Sequence, residues 1–333
     1  MDHVSEDRLM SSGGGDPAGP GLIDVHHHFN PTLRTNNGKP WSVAMSLDAM
    51  DRNGIARAVA SIGPMAIAAE RHEQVRNVSE WNTWGASIVR DHPDRFGLLG
   101  ALPLPHVDAA VDEIGHIYDV LRLDGVALST SYADVWLTDD RNLPVFAELD
   151  RRQAVVFVHP SPGPRDRALS QEYGGPFVAP AWIEFPVNTA RVILGLLTKG
   201  IARSFPSIRF VFAHGGGVMP LLLGRFAGFS GWEEVGPKRL QELFPDGVHG
   251  EFARFYFECA QACAPESFDL LRRVVPTSHI LFGSDFSYFP MAHSVDQFDR
   301  LALDPQTRDA VGHRNAADLF GGTARQDLAR GKG

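Results

Sequence analysis

The sequence predicts a (β/α)8 barrel, in which eight parallel strands close on themselves and helices surround them. Short apolar segments alternate with longer segments of helical period along nearly the whole chain, which is typical of parallel α/β folds. The interiors of the apolar segments are continuous rather than alternating, as expected of strands covered on both faces. Eight such segments occur within 333 residues, a common length for this barrel. No GxGxxG sequence follows the first segment, so a dinucleotide-binding sheet is disfavoured.

The predicted strands are runs rich in β-branched, aliphatic and aromatic residues, bounded by polar residues, Gly or Pro. In chain order they are Gly21–His28, Ala56–Gly63, Phe96–Leu104, Asp124–Ser129, Ala154–His159, Ile208–His214, Phe252–Cys259 and His279–Asp285. Between them, apolar residues at helical spacing predict helices on the outside of the barrel. These helices include Leu47–Asn53, His72–His92, Val107–Leu121, Leu143–Arg152, Thr189–Ser204 and Pro265–Val275. The Pro- and Gly-rich stretch Ser161–Pro186 is predicted to be a long loop over the barrel mouth.

Composition and charge argue against several classes of function. Hydrophobic residues make up 44% of the chain and charged residues 21%, which is the globular range. The formal net charge of −9 argues against a nucleic-acid surface, because phosphate binding needs clustered Lys and Arg. No stretch approaches the roughly 18 apolar residues of a membrane span.

The domain organisation is predicted to be simple. Residues 1–20 contain Ser, Gly and Pro without an apolar run, so we expect a flexible tail and no signal peptide. Residues 21–333 then form one barrel domain, since no clear linker divides them. The only cysteines, Cys259 and Cys263, are too few for a disulfide framework, and we expect a cytoplasmic protein.

Residues of the kind that bind metals stand at the carboxyl ends of four predicted strands. The first strand ends in a run of three histidines, and residues two apart in an extended chain point the same way. His26 and His28 can therefore converge while the histidine between them faces outward. Two further strands end in His159 and His214, and the last ends in Asp285. On a barrel these ends form the catalytic face.

This pattern predicts one divalent cation at the carboxyl face of the strands. Three imidazoles, one carboxylate and a spare histidine suit Zn²⁺, and Mn²⁺ is the alternative. A single histidine at a strand end is more often a hydrogen-bonded structural residue than a ligand. The coincidence of five ligand-type residues at four strand ends favours the metal site, because burial of an unpaired His or Asp is costly.

Four motifs carry a resemblance to a known family: Asp24-Val-His-His-His28, Phe157-Val-His-Pro160, Phe212-Ala-His-Gly-Gly-Gly217 and Phe282-Gly-Ser-Asp285. In this order they resemble the amidohydrolase superfamily. The similar branch contains aminocarboxymuconate-semialdehyde decarboxylase and nonoxidative aromatic-acid decarboxylases such as 6-methylsalicylate decarboxylase. The resemblance covers nearly the whole chain after residue 20.

The resemblance implies roles for individual residues. The metal ligands that it implies are His26, His28, His159 and Asp285. It implies that His214 lies one step further out and acts as an acid or base beside metal-bound water.

The resemblance also implies a homodimer. In the family, the helix after His-Gly-Gly-Gly carries an arginine that reaches a neighbouring subunit's active site, and Arg225 matches it here. For the family's other substrate-binding arginine, after the first strand, the candidates are Arg34 and Arg71. Two features depart from the family. Asp124–Thr130 contains no lysine, so a second, bridged metal is not expected, and Phe-Ser-Tyr288 replaces the more usual aromatic-Pro-Phe.

The leading hypothesis for function is nonoxidative decarboxylation of a small, 2-hydroxybenzoate-like aromatic acid. The metal would hold the phenolate and carboxylate oxygens, Asp285 would protonate the ring carbon, and loss of CO₂ would restore the ring. The alternative is hydrolysis of an ester, lactone, amide or C–C bond by the same metal-bound hydroxide, with His214 and Asp285 moving protons. The motifs do not separate the two reactions, because both need the same metal site. A metal-binding protein without catalysis is a third hypothesis.

Overall fold

Within the residues that the computed structural model describes (20–30, 40–62, 70–163 and 165–321), the chain forms eight parallel strands in one sheet. They are β1 (Leu22–Phe29), β2 (Ile55–Ile62), β3 (Phe96–Ala101), β4 (Gly125–Ser129), β7 (Val155–His159), β8 (Arg209–Phe212), β9 (Tyr256–Glu258) and β10 (Ile280–Leu281). A short antiparallel pair, β5 (Ser131–Tyr132) and β6 (Val135–Trp136), lies between β4 and β7. Each of the eight predicted segments contains one strand of the main sheet.

Hydrogen bonds join the last strand of the sheet to the first. The strand order is β1-β2-β3-β4-β7-β8-β9-β10, with each neighbouring pair parallel. At the seam, Val25 N–H donates to the carbonyl of Phe282 at 3.0 Å, and His28 N–H donates to the carbonyl of Phe286 at 2.5 Å. The predicted (β/α)8 barrel is therefore confirmed. The last strand, β10, is shorter than predicted. After Leu281 the backbone still forms hydrogen bonds with β1, but it no longer has regular strand geometry.

Helices cover the outside of the barrel. They are α1 (Val43–Arg52), α2 (Arg71–Asp91), α3 (Val107–Gly115), α4 (Leu143–Arg151), α5 (Asp166–Gly174), α6 (Glu184–Thr198), α7 (Ile201–Ser204), α8 (Met219–Gly228), α9 (Gly236–Leu243), α10 (Gly247–Phe252), α11 (Pro265–Val274), α12 (Met291–Arg300), α13 (Pro305–Asp309) and α14 (Asn315–Gly321). The helix predicted over Val107–Leu121 widens into a π-helical turn from His116. The helix predicted over Thr189–Ser204 starts earlier and is interrupted at Gly200, which adopts a left-handed φ of +71°.

The predicted loop Ser161–Pro186 lies at the barrel mouth, but it contains helix α5. The carboxylate of Asp166 accepts hydrogen bonds from Gly163 N–H and from the side-chain amide of Asn188, both at 2.6 Å. These bonds hold the start of α5 against α6. The prediction of a loop without a helix was wrong, because a contact from a distant helix stabilises this short segment.

Apolar side chains fill the barrel in two layers. The outer layer lies between the strands and the helices, and the inner layer fills the barrel itself. The last helix, α14, extends the inner layer with Leu319 and Phe320, which pack with Ile23 and Val25.

The predictions for the N-terminal tail, the domain boundary and Arg34 involve residues that the structure does not describe. Residues 1–19 and Arg34 lie outside the described residues, so the tail at 1–20 and the domain at 21–333 stay predictions. Among the helices that are described, none has the length and apolar character needed to cross a bilayer.

Candidate active site

Four side chains converge at the carboxyl ends of β1, β7 and β10. The Nε2 atoms of His26 and His28 lie 3.0 Å apart, and Asp285 Oδ1 lies 3.3 Å from each of them. The ring centroid of His159 lies 5.0 Å from that of His26 and 5.1 Å from that of His28. One ligand atom from each of these four residues lies within 4.8 Å of the others, so the group could hold a single metal ion.

The alternation of side chains along β1 produces half of this group. His26 and His28 are almost fully buried and face the site. His27 lies on the other face of the strand, where its Nε2 is 2.9 Å from Ser46 Oγ and its ring packs near Phe96. The sequence prediction placed these three histidines on the same two faces.

Backbone contacts with β1 place Asp285. Its N–H donates to the carbonyl of His26 at 2.7 Å, and its φ is +59°, a left-handed value that is uncommon for a residue other than glycine. The preceding residue, Ser284, donates its N–H and its hydroxyl to the buried carboxylate of Asp24, at 2.9 and 2.6 Å. These bonds hold a costly conformation and aim the Asp285 carboxylate at the two histidines.

Each of the four histidine rings at the site is oriented by a hydrogen bond at Nδ1. The Nε2 atoms are therefore not needed for these bonds. The Nδ1 partners are Glu258 Oε1 for His26 (2.8 Å), Ser61 Oγ for His28 (3.1 Å), the carbonyl of Pro160 for His159 (2.8 Å) and the carbonyl of Ala260 for His214 (3.0 Å). In the neutral form of these rings, the carboxylate and the two carbonyls accept from Nδ1–H, which leaves Nε2 as the unprotonated, metal-binding nitrogen.

The pKa values of the three histidines in the group shift in different directions, and only His26 is favoured in its charged form. Burial opposes the charged form of His26, but Glu258 and Asp285 outweigh this effect and raise the pKa of His26 to about 9. Burial lowers the pKa of His28, and burial together with the charges of His26 and His28 lowers the pKa of His159 well below its ordinary value.

Asp285 is the negative member of the group. Burial acts to raise the pKa of its carboxyl, but the neighbouring histidines, His26 above all, hold that pKa well below its ordinary value. Its Oδ1 is buried and has no hydrogen-bond partner among the residues that the structure describes. A buried carboxylate oxygen without a partner is costly. A cation between this oxygen and the histidine Nε2 atoms would remove that cost, so the donor set fits a divalent metal.

His214 lies beside the four-residue group rather than within it. Its ring centroid is 5.0 Å from that of His26 and 5.7 Å from that of His159. It follows β8 with a left-handed φ of +55° and lines the main cavity together with Asp285. This is the placement that the sequence prediction assigned to the spare histidine.

A cavity of about 840 Å³ opens from the site between α6, α8 and α11. Its walls are mainly apolar, with His159, His214 and Asp285 at the deep end. Apolar residues of the wall include Trp182, Phe185, Leu221, Leu271 and Phe289. Such a cavity suits a flat apolar ring whose polar end reaches the histidines. Tyr288 also lines it, and its ring centroid lies 5.1 Å from that of His28.

A second cavity, of about 190 Å³, adjoins His28 and His159 on the side of β2, β3 and β4. Its wall includes several residues with hydroxyl groups: Ser61, Ser129, Ser131, Tyr132 and Ser161. The convergent side chains therefore lie between a large apolar cavity and a smaller one whose wall carries more hydroxyl groups.

Two of the arginines considered for substrate binding, Arg225 and Arg71, do not line either cavity. Arg225 is exposed on α8, with its guanidinium 5.7 Å from the ring centroid of Phe229. Arg71 is exposed at the start of α2 and forms an ion pair with Asp108. Arg34 lies outside the described residues.

Glu258 is the residue of the site that the sequence analysis missed. It is fully buried at the carboxyl end of β9, and its carboxylate contacts both His26 and His214. A signal for it was present, since Glu258 is the second-last residue of the predicted strand Phe252–Cys259. It went unused because a glutamate before Cys259 completes no ligand motif in the linear sequence.

Comparisons with known proteins agree with this geometry. Residues 23–322 match the family described as Amidohydrolase. The chain is 32% identical over 288 residues to 6-methylsalicylic acid decarboxylase acuB of Aspergillus aculeatus, covering 80% of this chain and 84% of that protein. It is 29% identical over 325 residues to decarboxylase yanB of Aspergillus niger, covering 90% and 87%. A crystal structure of dihydroxybenzoic acid decarboxylase from Polaromonas sp. JS666, with bound manganese and an inhibitor, has a TM-score of 0.81 at 20% identity, covering 92% of this chain and 99% of that one.

The raised pKa of His26 predicts a pH-dependent stability in protein freed of divalent cations by chelation. Because the pKa rises from 6.5 to about 9 on folding, the contribution of His26 to the free energy of unfolding is complete below pH 6.5. It is lost as the pH rises through about 9, by about 3 kcal/mol at most. Urea unfolding at pH 6.5 and pH 9 measures this loss. A His26→Asn variant should lose less over the same range, and an equal loss in both proteins would contradict the assignment to His26.

Proposed function

Since this chain belongs to the amidohydrolase family, we propose that it is a metal-dependent, nonoxidative decarboxylase of a small, 2-hydroxybenzoate-like aromatic acid. The observation that carries the proposal is the convergence of three histidines and Asp285 at the deep end of an apolar cavity. Relatives whose printed names are decarboxylases, among them a 6-methylsalicylic acid decarboxylase, support the reaction class.

The ligands in this proposal are His26, His28, His159 and Asp285, and the ion is a single Zn²⁺ or Mn²⁺. Nitrogen donors with one carboxylate suit Zn²⁺. The manganese in the Polaromonas decarboxylase supports Mn²⁺. When bound, the ion supplies positive charge that attracts and orients the oxygens of the acid.

The side chains of this protein would carry out the remaining steps. The apolar wall, including Phe185 and Leu271, holds the ring and excludes water from its faces. The carboxyl of Asp285, at the deep end, gives its proton to the ring carbon that bears the carboxylate. The bond between this carbon and the carboxyl group then breaks, its electron pair restores the aromatic ring, and CO₂ leaves.

The protonation state of Asp285 decides whether that step is possible. The surrounding histidines hold the pKa of Asp285 low in the structure described above. An incoming aromatic acid brings negative charge next to the carboxylate, and like charge favours the protonated form. His214, which lines the same cavity, is placed to exchange protons between this region and the solvent.

We also propose that the protein acts as a homodimer through the face around the cavity mouth. Large apolar side chains stand exposed there, notably Trp182 and Leu221, each 71% exposed although both line the cavity. Phe289 is exposed and lines the same cavity, and Ile183 is exposed next to Trp182. A second copy that covers this face would bury these side chains and close the cavity. Arg225, one helical turn from Leu221, would then reach the carboxylate in the partner's site, since its planar fork can grip a carboxylate in two places.

A cytoplasmic location belongs to the same proposal. Cys259 and Cys263 are buried as free thiols, which supports a protein that works in a reducing compartment.

The direct test of the proposed function is a substrate panel. Wild-type protein loaded with Mn²⁺, and in parallel with Zn²⁺, is incubated with hydroxybenzoates and with simple esters. We expect CO₂ and the matching phenol from a 2-hydroxybenzoate. Within the panel, only that class offers the metal a carboxylate oxygen and an adjacent phenolate oxygen. Release of acid from the esters without CO₂ would instead favour the hydrolase, and no turnover of either class would refute both.

The separate roles of His159 and His214 predict different defects. His159→Ala should lose the bound ion, because one of four ligands is gone. His214→Ala should keep about one equivalent of metal and lose turnover by about 10²–10⁴-fold, the usual size of a general acid–base contribution. Elemental analysis and CO₂ release measure the two effects. His279→Ala is the control, since that histidine precedes β10 at the other end of the barrel. Metal-free His214→Ala protein would make His214 a ligand.

The shared site predicts complementation between inactive chains. Arg225→Ala should lower kcat or raise KM without loss of metal, since Arg225 is not one of the proposed metal ligands. A mixture of Arg225→Ala and His214→Ala chains should regain activity, because one site of each mixed dimer has both residues. Light scattering gives the oligomeric state. A monomeric active enzyme, or a mixture no more active than its parts, would rule out the shared site.

A further inference from the structure

Glu258 is a buried carboxylate that receives three N–H groups. Its Oε1 lies 2.8 Å from Nδ1 of His26 and accepts the backbone N–H of His214 at 2.6 Å. Its Oε2 accepts the backbone N–H of Ala260 at 2.6 Å. The side chain is fully inaccessible to solvent, so these groups are its hydrogen-bond donors in place of water.

We propose that Glu258 is a positioning residue that serves both halves of the site at once. Through Oε1 it sets the ring of His26 for metal binding, and through Oε1 and Oε2 it sets the backbone and ring of His214 for proton transfer. This inference rests on the proposed function, because it takes His26 as a ligand and His214 as the acid or base.

The contact with His26 decides which ring nitrogen carries the proton. A carboxylate oxygen can only accept, so Nδ1 of His26 must be the donor. In the neutral ring that can bind a metal, Nε2, which faces His28 and Asp285, is then left with a free electron pair. A carboxylate behind a ligating histidine also makes its free nitrogen more basic, which strengthens binding of a cation.

The contacts with His214 act through the backbone. His214 has a left-handed φ of +55°, which a residue other than glycine adopts only when its surroundings hold it there. The bond from its N–H to Glu258 supplies one such restraint. The His214 ring is held by the carbonyl of Ala260 at 3.0 Å, and the N–H of Ala260 is in turn held by Glu258.

The space around Glu258 explains a glycine in the last motif. A Cβ added at Gly283 would overlap Oε2 of Glu258 and would lie 2.8 Å from Cβ of His26. The glycine of Phe282-Gly-Ser-Asp285 therefore makes room for this carboxylate. The absence of a side chain at position 283 leaves room for the Glu258 carboxylate, which can then contact His26, His214 and Ala260.

An amide cannot replace this carboxylate without loss. With its carbonyl kept toward His26 and His214, a glutamine at 258 would point its NH₂ group at Ala260 N–H, donor against donor. This repulsion moves the Ala260 carbonyl that holds the His214 ring. The loss of negative charge behind His26 weakens cation binding separately.

The test is Glu258→Gln, with two quantities measured on the full chain. We expect the dissociation constant for Mn²⁺, measured by titration without substrate, to rise about 10–100-fold. We expect kcat at saturating Mn²⁺ to fall about 10–100-fold as well, because extra metal does not restore the His214 ring. Glu251→Gln is the matched control: Glu251 is also a fully buried glutamate, but its neighbours are Arg203 and Arg254 on the outer helices. It should leave both quantities within about twofold of wild type.

Gly283→Ala tests the same idea without removing a charge. The added methyl group should displace Oε2 and reduce kcat at saturating Mn²⁺. If Glu258→Gln does not fold, Glu258→Asp keeps the anion, withdraws it by one methylene, and is measured in the same way. A folded Glu258 variant with either quantity unchanged overturns the proposal. Wild-type protein that binds no Mn²⁺ or releases no CO₂ would instead refute the proposed function, so the two failures are distinguishable.

Discussion

The carboxylate of Asp24 joins the two ends of the barrel sheet, and the site depends on that connection. Asp24 is fully buried and accepts hydrogen bonds from His26 N–H at 3.1 Å and from the N–H and hydroxyl of Ser284. It therefore sets the register between β1 and the chain after β10, which meet only in the closed barrel. His26 lies two residues after Asp24, and Asp285 lies one residue after Ser284. A shift of one residue at this seam would turn one of them away from the site.

Polar groups at the carboxyl face are stabilised by hydrogen-bond partners, several of them from other strands. Burial of a charge costs several kcal/mol unless it is paired and hydrogen-bonded, so these partners decide which groups can be buried. His28 has Ser61 on β2, and His26 has Glu258 on β9. Asp285 Oδ1 has no hydrogen-bond partner among the residues that the structure describes. This acceptor lies where four potential metal-binding atoms meet, an arrangement that suits a cation.

The sequence predicted the barrel and the four strand ends because both depend on local patterns. Apolar runs of strand length, separated by helical period, are specified by neighbouring residues alone. His26 and His28 face one way because side chains alternate along a strand, whatever the rest of the chain does. The segment Ser161–Pro186 was different, since helix α5 is held by Asn188 of another helix and local Pro and Gly content indicated a loop.

Local sequence patterns are enough to identify the residues that end the strands at the carboxyl face. The arrangement between those ends forms only in the folded barrel. Glu258 acquires its importance from His26 and His214, which are 232 and 44 residues away in the chain. The left-handed backbone of His214 and Asp285 is held by hydrogen bonds across the closed barrel, because the modest local preference of His and Asp for this region does not by itself specify it. The physical reason is that strand periodicity is a property of neighbours, whereas a buried polar cluster forms only after strands from distant parts of the chain meet.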